Sequence, residues 1–239
     1  MREFKNGGEL RRLSVLVLKL MRRYKKLREI SEELGKPIFD ISKYTSMRVL
    51  PSLETAKKII EVYNPERIMK DEISKRCFKN EYGLFNNQML VSDILSLEII
   101  AEIVFQKFKS NKVTKVMTAE VDGIPLATLV ANKFGVDLVI AKKKREVGVT
   151  EFYEETVLFG TSGVSYTLYV PKTSLKRLDH VIIVDDLIRY GETQNALIKI
   201  LKRAEAKLVG IFVPIIIGEY WKENLKEYSD KLNYLVNLS

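Results

Sequence analysis

The sequence predicts an α/β protein in which an N-terminal all-helical domain precedes a parallel β-sheet flanked by helices. Up to about residue 63, apolar residues recur at helical spacing, with lysine and arginine between them. From about residue 90, strands that are apolar throughout alternate with helices of about a dozen residues, which is typical of a parallel sheet covered on both faces. We therefore expect a helical domain over 1–70, a linker over 71–90 and the sheet domain over 91–239.

Helical periodicity predicts four helices in the first domain. The second is expected to end at Gly35, because glycine readily takes the left-handed conformation of a helix stop. Pro37 fits the first turn of the third helix, and Ser52 is the expected N-cap of the fourth. Asn64 and Pro65 interrupt the pattern, and the domain boundary is expected after them. The four predicted helices cover residues 10–24, 27–35, 38–47 and 53–63.

The second domain is expected to begin with a helix over 92–109 and then to alternate strands and helices. Between 145 and 175, two further strands, ETVLF and SYTLYVP, predict an antiparallel flap inserted into this alternation. The remaining predicted elements are, in order, VTKVMTAE, GIPLATLVANKFG, VDLVIAKKK, HVIIVDD, ETQNALIKILKRAEA and KLVGIFVPIII.

The net charge of +9 is concentrated in the N-terminal third. Residues 1–75 contain 18 lysines and arginines against 11 aspartates and glutamates, whereas the other 164 residues contain 22 against 20. A basic domain of this kind favours a polyanionic partner, most simply nucleic acid. The alternative is a solvated basic face without a partner.

Composition argues against several classes of protein. The chain has no apolar run long enough to cross a membrane, and MREFKNGGEL lacks the apolar stretch of a signal peptide. With one cysteine, Cys77, and one histidine, the chain has no intrachain disulfide and no zinc cluster. We expect a cytoplasmic protein in a reducing compartment, without membrane association and without a protein-only metal site.

In LREISEELGKPIFDISKYTSMRVLPSLETAKKI, a short helix, a glycine turn and a second helix precede a Pro-Ser-x-Glu-Thr helix start. Over residues 12–63 this pattern resembles the Cro-type helix-turn-helix family, although Leu27 stands where that family usually has a polar residue. The resemblance implies double-stranded DNA as the partner and a recognition helix over 37–46. The residues it places near the major groove or its phosphates are Arg28, Lys36, Asp40, Lys43, Tyr44 and Arg48.

The strand over 181–184 runs directly into two adjacent aspartates. Because two buried like charges are costly, Asp185 and Asp186 are expected at the exposed end of the strand. Ligands of open parallel sheets bind beyond the carboxyl ends of the strands. The following turn and helix offer N–H groups to a phosphate, and two carboxylates can accept hydrogen bonds from a pair of hydroxyl groups. The segment therefore predicts a site for a ribose phosphate.

The stretch HVIIVDDLIRYGET resembles the motif with which type I phosphoribosyltransferases bind phosphoribosyl pyrophosphate (PRPP). The resemblance implies a type I phosphoribosyltransferase-like parallel sheet, with Asp185 and Asp186 on the ribose hydroxyls and the 189–193 loop around the 5′-phosphate. Magnesium is expected to arrive with PRPP. The residues assigned to PRPP are Asp185, Asp186, Leu187, Ile188, Arg189, Tyr190, Gly191, Glu192 and Thr193.

The segment AEVDGIPLATLVANKFGVDLVIAKKKR, residues 119–145, resembles the pyrophosphate loop of the same family and the basic run after its next strand. The loop alone would also fit an ordinary turn, and the basic run alone would fit a solvated lysine run. The loop, the basic run and the PRPP motif nevertheless occur in family order across about 90–220. The residues assigned to the pyrophosphate are Val121, Asp122, Gly123, Lys142, Lys143, Lys144 and Arg145.

Several residues depart from the pattern of an active transferase. Tyr190 and Glu192 replace small residues in the phosphate loop, and Asp122 adds a carboxylate to the pyrophosphate loop. The flap between Arg145 and Lys172 contains no lysine or arginine, whereas a departing pyrophosphate needs positive charge. No catalytic residue is therefore assigned, and the domain is expected to sense its ligand without turnover.

Together the two resemblances indicate a transcription regulator that fuses a DNA-binding domain to a phosphoribosyltransferase-like domain. The C-terminal part is similar to bacterial purine repressors and xanthine phosphoribosyltransferases, and the N-terminal part resembles archaeal regulators of orotate phosphoribosyltransferase-like type. The resemblance implies a homodimer whose operator affinity is set by PRPP or a purine nucleotide. The alternatives are an active purine or orotate phosphoribosyltransferase with a helical appendage, an RNA-binding attenuator, and a helical cap or dimerisation domain without a nucleic-acid role.

Overall fold

The computed structural model describes residues 7–79, 85–158 and 165–238. Its N-terminal third is helical, with boundaries close to those that the apolar periodicity predicted. Gly35 follows the second helix with φ of 57°, and the Ser52 side chain caps the fourth by accepting the Thr55 N–H. The helices are α1 (Gly7–Met21), α2 (Leu27–Leu34), α3 (Ile38–Thr45) and α4 (Leu53–Val62).

A fifth helix, α5 (Pro65–Arg76), begins where the sequence indicated a break. Asn64 caps it by accepting the Arg67 N–H, and Pro65 occupies the first turn, where a missing N–H costs little. The dipeptide that ends one helix therefore starts the next. The segment 71–90, expected to be a linker, contains the end of α5, the paired strands β1 (Phe78–Lys79) and β2 (Phe85–Asn86), and most of α6 (Gln88–Val91).

The C-terminal part is built on a parallel sheet, as the apolar strands predicted. Its helices are α7 (Ile94–Phe108), α8 (Ile124–Phe134), α9 (Glu192–Arg203) and α10 (Lys222–Leu225). Its strands are β3 (Lys115–Ala119), β4 (Asp137–Ala141), β5 (Phe152–Leu158), β6 (Ser165–Pro171), β7 (His180–Val184), β8 (Leu187–Ile188), β9 (Lys207–Ile217) and β10 (Leu232–Leu238). The order across the sheet is β10-β9-β7-β3-β4, and β8 also pairs with β9.

The strands β5 and β6 form the antiparallel flap that the sequence predicted. The flap is attached to the sheet where the backbones of Lys142 and Tyr169 exchange two hydrogen bonds, and β5 packs against α9. The edge strand β10 was not predicted. It is only partly buried, so polar and apolar residues mix along it, and the continuous apolar signal of a central strand is missing.

Buried apolar side chains join the two parts of the chain. α7 and α8 cover one face of the sheet, and the N-terminal helices continue the same cluster, which includes Leu16, Ile100 and Phe212. The opposite face packs against α9 through residues such as Ile183 and Leu197. The N-terminal helices α1 to α5, called the helical unit below, are therefore fixed to the sheet by a shared core. Across the described ranges, no helix combines the length and apolar composition needed to cross a bilayer.

Candidate functional site

Three of the predicted segments leave the sheet side by side. β3 lies between β4 and β7, and all three strands are parallel, so the loops at their carboxyl ends are neighbours. These loops carry residues 121–123, residues 142–145 and the pair Asp185 and Asp186. The chain passes from β3 to β4 on one side and returns to β7 on the other. The carboxyl ends of β3, β4 and β7, called the sheet edge below, therefore form the switch point of the sheet. Ligands of open α/β sheets bind at such a point.

Asp185 directly follows β7 but is buried, with 6% of its surface exposed. The expectation that both aspartates would be exposed is therefore wrong for this residue. Hydrogen bonds satisfy its carboxylate, because Gln194 Nε2 donates to Oδ2 at 2.7 Å and the Asp186 N–H donates to Oδ1 at 3.1 Å. Such partners lower the cost of burying a charged group.

Asp186 is partly buried and accepts a hydrogen bond from Asn87 Nδ2. Burial raises the pKa of Asp185 well above its ordinary value, and the negative charge of Asp186 raises it further. Burial also raises the pKa of Asp186, against the opposing effect of its hydrogen bonds with Asp185 and Asn87. In the described part of the chain, neither carboxylate forms an ion pair, so both are held by uncharged donors that hydroxyl groups of a ligand could replace.

The loop after β3 lies directly against Asp185. A β-carbon built on Gly123 would come within 2.2 Å of Asp185 Oδ1 and 2.4 Å of Thr118 Oγ1. Only glycine therefore fits at this position, and it lets the start of α8 approach the buried carboxylate. Val121 and Asp122 are exposed at the mouth of the loop. The first backbone N–H groups of α8 therefore lie at the same edge of the sheet as the two aspartates.

The flap carries four glutamates, and each forms an ion pair. Two of the partners, Lys142 and Arg145, belong to the basic run assigned to pyrophosphate, so these two cations are engaged by the flap. Side chains of α9 hold a third glutamate. The pairs are Glu146 with Lys142 at 2.7 Å, Glu151 with Lys172 at 3.5 Å, Glu154 with Arg145 at 2.5 Å, and Glu155 with Lys199 at 3.2 Å and with Arg203.

The other two cations of the basic run, Lys143 and Lys144, are exposed. The Lys143 ammonium lies 5.0 Å from the centre of the Tyr166 ring, and the Tyr166 hydroxyl lies 2.9 Å from Thr193 Oγ1. These contacts run from the basic run, through the flap, to the loop after β7. Burial raises the pKa of Tyr166, so its hydroxyl stays protonated near neutral pH and can act as a donor.

The loop after β7 combines structural and exposed positions. Leu187 and Ile188 form β8 beside β9, and Ile188 is buried, so these two residues shape the loop. Gly191 has φ of 83°, and a β-carbon there would meet Leu225 at 2.9 Å. Both the backbone conformation and the close contact require glycine at this point.

The outer part of the same loop is aromatic and charged. Tyr190 has its ring centre 5.3 Å from that of Tyr220, and the Arg189 guanidinium lies 5.2 Å from the Tyr190 ring. Glu192 is half-buried as the first residue of α9, and Thr193 is the second. The first N–H groups of this helix have no intrahelical acceptor, and together with its dipole they favour an anion such as phosphate.

The six side chains assigned to DNA differ in exposure. Lys43 and Arg48 line one cavity on the outer side of α3, whereas Tyr44 packs against the apolar core and burial raises its pKa. Arg28 is exposed and forms an ion pair with Glu32 at 2.9 Å. The remaining two are half-buried: Lys36, which precedes α3, and Asp40, in its first turn.

An ion cluster joins the helical unit to the segment before α7. Asp93 accepts two hydrogen bonds from Arg23, at 2.5 and 2.8 Å, and lies 3.1 Å from the Arg76 guanidinium. Arg76 also contacts the buried Glu72, which accepts a hydrogen bond from the Tyr24 hydroxyl at 2.8 Å. We refer to these five residues as the Asp93 cluster. It connects the ends of α1 and α5 to the residue that precedes α7.

The two arginines of the cluster lower the pKa of Asp93. Burial alone would raise the pKa of Asp93. Hydrogen bonds from Arg23 and Ser96, together with the charges of Arg23 and Arg76, instead lower that pKa to about 2. Asp93 is therefore charged at any ordinary pH.

Two residues of the site were missed by sequence reasoning. Asn87 lies far from Asp186 along the chain, and no local pattern indicates that the two side chains meet. Gln194 did leave a signal, because it is a polar residue on the otherwise apolar buried face of α9. A buried polar side chain next to a predicted site is a candidate to hold one of its charged groups.

Comparisons with known proteins agree with this geometry. Residues 88–235 match the model of the phosphoribosyl transferase domain. The chain is 36% identical over 137 residues to a xanthine phosphoribosyltransferase of Alkaliphilus metalliredigens, covering 57% of this chain and 66% of that protein. It is 32% identical over 152 residues to a probable purine biosynthesis transcriptional regulator of Streptococcus pneumoniae, covering 61% of this chain and 54% of that one.

Among solved structures, adenine phosphoribosyltransferase from Thermoanaerobacter pseudethanolicus matches with a TM-score of 0.63 at 18% identity. The match covers 71% of this chain and 99% of that chain, and it shows the shared fold. Residues 1–87 lie outside the family match, whereas all three loops of the sheet-edge site lie inside it. The chain therefore belongs to the phosphoribosyl transferase domain family.

Proposed function

We propose that the chain is a DNA-binding transcriptional regulator whose operator affinity is set by PRPP or a purine nucleotide bound at the sheet edge. The regulated genes belong to purine, nucleotide or central sugar metabolism. The protein acts in the cytoplasm as a homodimer, because a dimer presents two recognition helices to half-sites about one DNA turn apart. One observation carries the proposal: a basic helical unit outside the family match is tied, through the Asp93 cluster, to the segment that contacts the ligand site.

The sheet-edge site fits a phosphorylated pentose. Asp185 and Asp186 accept hydrogen bonds from two ribose hydroxyls in place of the amide donors that hold them in the structure. The 189–193 loop and the start of α9 take the 5′-phosphate. The loop after β3 and the exposed Lys143 and Lys144 take the pyrophosphate, and PRPP brings Mg²⁺ with it.

The helical unit supplies the DNA contact. In this proposal, α2 and α3, joined at Gly35, form the helix-turn-helix pair, and α3 enters the major groove. Lys36, Lys43 and Arg48 contact phosphates and supply much of the affinity. The excess of positive charge in residues 1–75 supports this assignment.

The segment from Asn87 to Asp93 connects the two sites. Ribose hydroxyls that bind Asp186 compete with the Asn87 amide, which lies immediately before α6. At the other end of α6, Asp93 holds Arg23 and Arg76 of the helical unit. A shift of α6 therefore changes the placement of the recognition helices in the dimer. The ligand acts through the difference in its affinity for the two arrangements.

A gel-shift assay on DNA from upstream of the gene tests the proposal, with and without PRPP and Mg²⁺. We expect specific binding that PRPP changes by about tenfold, within the usual range of allosteric coupling. Arg48→Ala should weaken DNA binding and leave PRPP affinity, measured by calorimetry, unchanged. Arg177→Ala serves as the matched control, because it removes an exposed arginine that precedes β7, at the end of that strand opposite to Asp185. Absence of specific DNA binding by the wild-type protein, with or without ligand, would overturn the proposal.

The second candidate is an active phosphoribosyltransferase. It is favoured by the 36% identity to a protein named as a xanthine phosphoribosyltransferase. The lack of lysine and arginine over 146–171 counts against rapid turnover, because the departing pyrophosphate needs positive charge. Pyrophosphate release from PRPP with a panel of purines and orotate distinguishes the two functions. Turnover at about 1 s⁻¹ or faster, without specific DNA binding, would favour the enzyme.

A further inference from the structure

The outer side of α3 is both apolar and basic. Phe39 is 68% exposed and Val49 is 49% exposed, and both line a cavity of about 220 Å³. Positions 39, 42, 43 and 46 recur at helical spacing and share one side of α3, whereas Ile41 projects into the core. We refer to the lining residues as the α3 face: Phe39, Ser42, Lys43, Ser46, Arg48 and Val49.

The exposed side chain of Phe39 indicates a surface that a binding partner covers. Burying a phenyl ring stabilises it by about 1.5–3 kcal/mol relative to leaving it in water, and most of that stabilisation is absent here. The Lys43 ammonium lies 4.0 Å above the ring centre, so the ring is contacted by a cation that itself remains half-exposed. Apolar surface bordered by polar groups is typical of a contact site.

We propose that the α3 face recognises thymine, with Phe39 packing against thymine 5-methyl groups in the major groove and with Lys43 and Arg48 on the adjoining phosphates. This inference rests on the proposed DNA-binding function and specifies what the recognition helix reads. Thymine alone presents a methyl group in the major groove, and apolar side chains contact it. Phe39 is the second residue of α3, and the first turn of a recognition helix reaches the base edges.

Charge decides between DNA and a second copy of the same surface. Within the described part of the chain, none of the ion pairs engages Lys43 or Arg48, which lie beside Phe39. Two α3 faces in contact would bring these cations together, and the repulsion would oppose the gain from burying two phenyl rings. Phosphates on either side of the major groove neutralise them instead.

Upstream DNA in which deoxyuridine replaces thymidine tests the inference, since it lacks only the 5-methyl groups. In gel shifts with the full chain, wild type should bind uracil DNA about tenfold more weakly than thymine DNA. Phe39→Ala should bind thymine DNA as weakly as wild type binds uracil DNA, with no further loss on uracil DNA. Phe39→Leu keeps an apolar side chain and should retain part of the preference. Leu178→Ala removes another exposed apolar side chain, 56% exposed before β7, and should behave as wild type.

The outcomes separate this inference from the proposed function. Specific binding by wild type that is equal on both DNAs would overturn thymine recognition and leave the DNA-binding function standing. Absence of specific binding on either DNA would overturn both. If Phe39→Ala bound DNA normally but sedimented as a smaller species than wild type, a second copy of the chain would cover the α3 face, and the inference would be wrong.

Discussion

Asn87 donates a side-chain hydrogen bond to Asp186, although the two residues are 99 positions apart in the sequence. Asn87 immediately precedes α6, and the chain reaches Asp93 directly after that short helix. Asp93 in turn holds Arg23 at the end of the first helix. One short segment therefore contacts both a carboxylate of the candidate site and Arg23, which follows the first helix.

Asn87→Ala is expected to separate ligand binding from its effect on DNA. The substitution removes the amide partner of Asp186 and leaves the carboxylates in place, so PRPP affinity by calorimetry should change less than about tenfold. The effect of PRPP on DNA affinity should disappear, because the competition between ligand and Asn87 is gone. Gln88→Ala, at the exposed neighbouring position, is the matched control. A full PRPP response in Asn87→Ala would show that this contact does not transmit binding.

Asp185→Asn is expected to stabilise the fold and abolish PRPP binding. The pKa of this carboxyl is raised by burial, so its contribution to stability is fully present at low pH and is lost as the pH rises through the raised pKa. An amide of the same size avoids the buried charge. We expect the free energy of unfolding by urea to rise by about 1 kcal/mol at pH 8, with little change near pH 4. A variant less stable than wild type at pH 8 would contradict this account.

Asp93→Asn is expected to lower the stability of the fold. Burial alone would raise the pKa of Asp93, but its two arginine partners and Ser96 lower it to about 2. Its contribution to stability is therefore present above the unfolded value of about 3.9 and is lost as the pH falls toward 2. We expect a loss of about 2 kcal/mol in the free energy of unfolding at pH 6, and convergence with wild type near pH 2. Equal stability at pH 6 would refute the assignment.

Gly123→Ala is expected to damage the ligand site more than the fold. The added β-carbon would clash with Asp185 and Thr118, so the loop after β3 must move away. We expect PRPP affinity to fall at least about tenfold and unfolding free energy to fall by about 1–3 kcal/mol. Gly135→Ala should cost about 1 kcal/mol, because φ there is 65°, and should leave PRPP affinity unchanged. Equal ligand affinity in both variants would contradict the proposed loop contact.

The elements with local signals could be predicted from the sequence. The central strands are apolar throughout, Gly35 and Ser52 mark helix ends, and the acidic pair before Gly191 marks the end of β7 and the loop that leads to α9. The fifth helix was missed because Asn64 and Pro65 serve equally as a stop and as a start signal. In each of these cases the information lies within a few neighbouring residues.

The remaining features depend on tertiary contacts. Gln194, on the buried face of α9, donates a hydrogen bond to the buried Asp185. The sequence shows that Gln194 is a polar residue on an apolar face, but it does not show which charged group Gln194 contacts. The Asp93 cluster joins residues that follow the first helix, lie in the fifth and precede the seventh, so it forms only once those helices have packed. The engagement of Lys142 and Arg145 by flap glutamates likewise depends on how the flap folds back.

The coupling of the sheet edge to DNA is tested by DNA affinity measured as a function of PRPP concentration, for wild type and for the Asp185→Asn/Asp186→Asn double variant. We expect the affinity of wild type for upstream DNA to change by about tenfold and to reach a plateau with increasing PRPP. The double variant should bind DNA as apo wild type does and should not respond to PRPP. A wild-type affinity that does not depend on PRPP, or an equal response in both proteins, would contradict the coupling of this site to DNA.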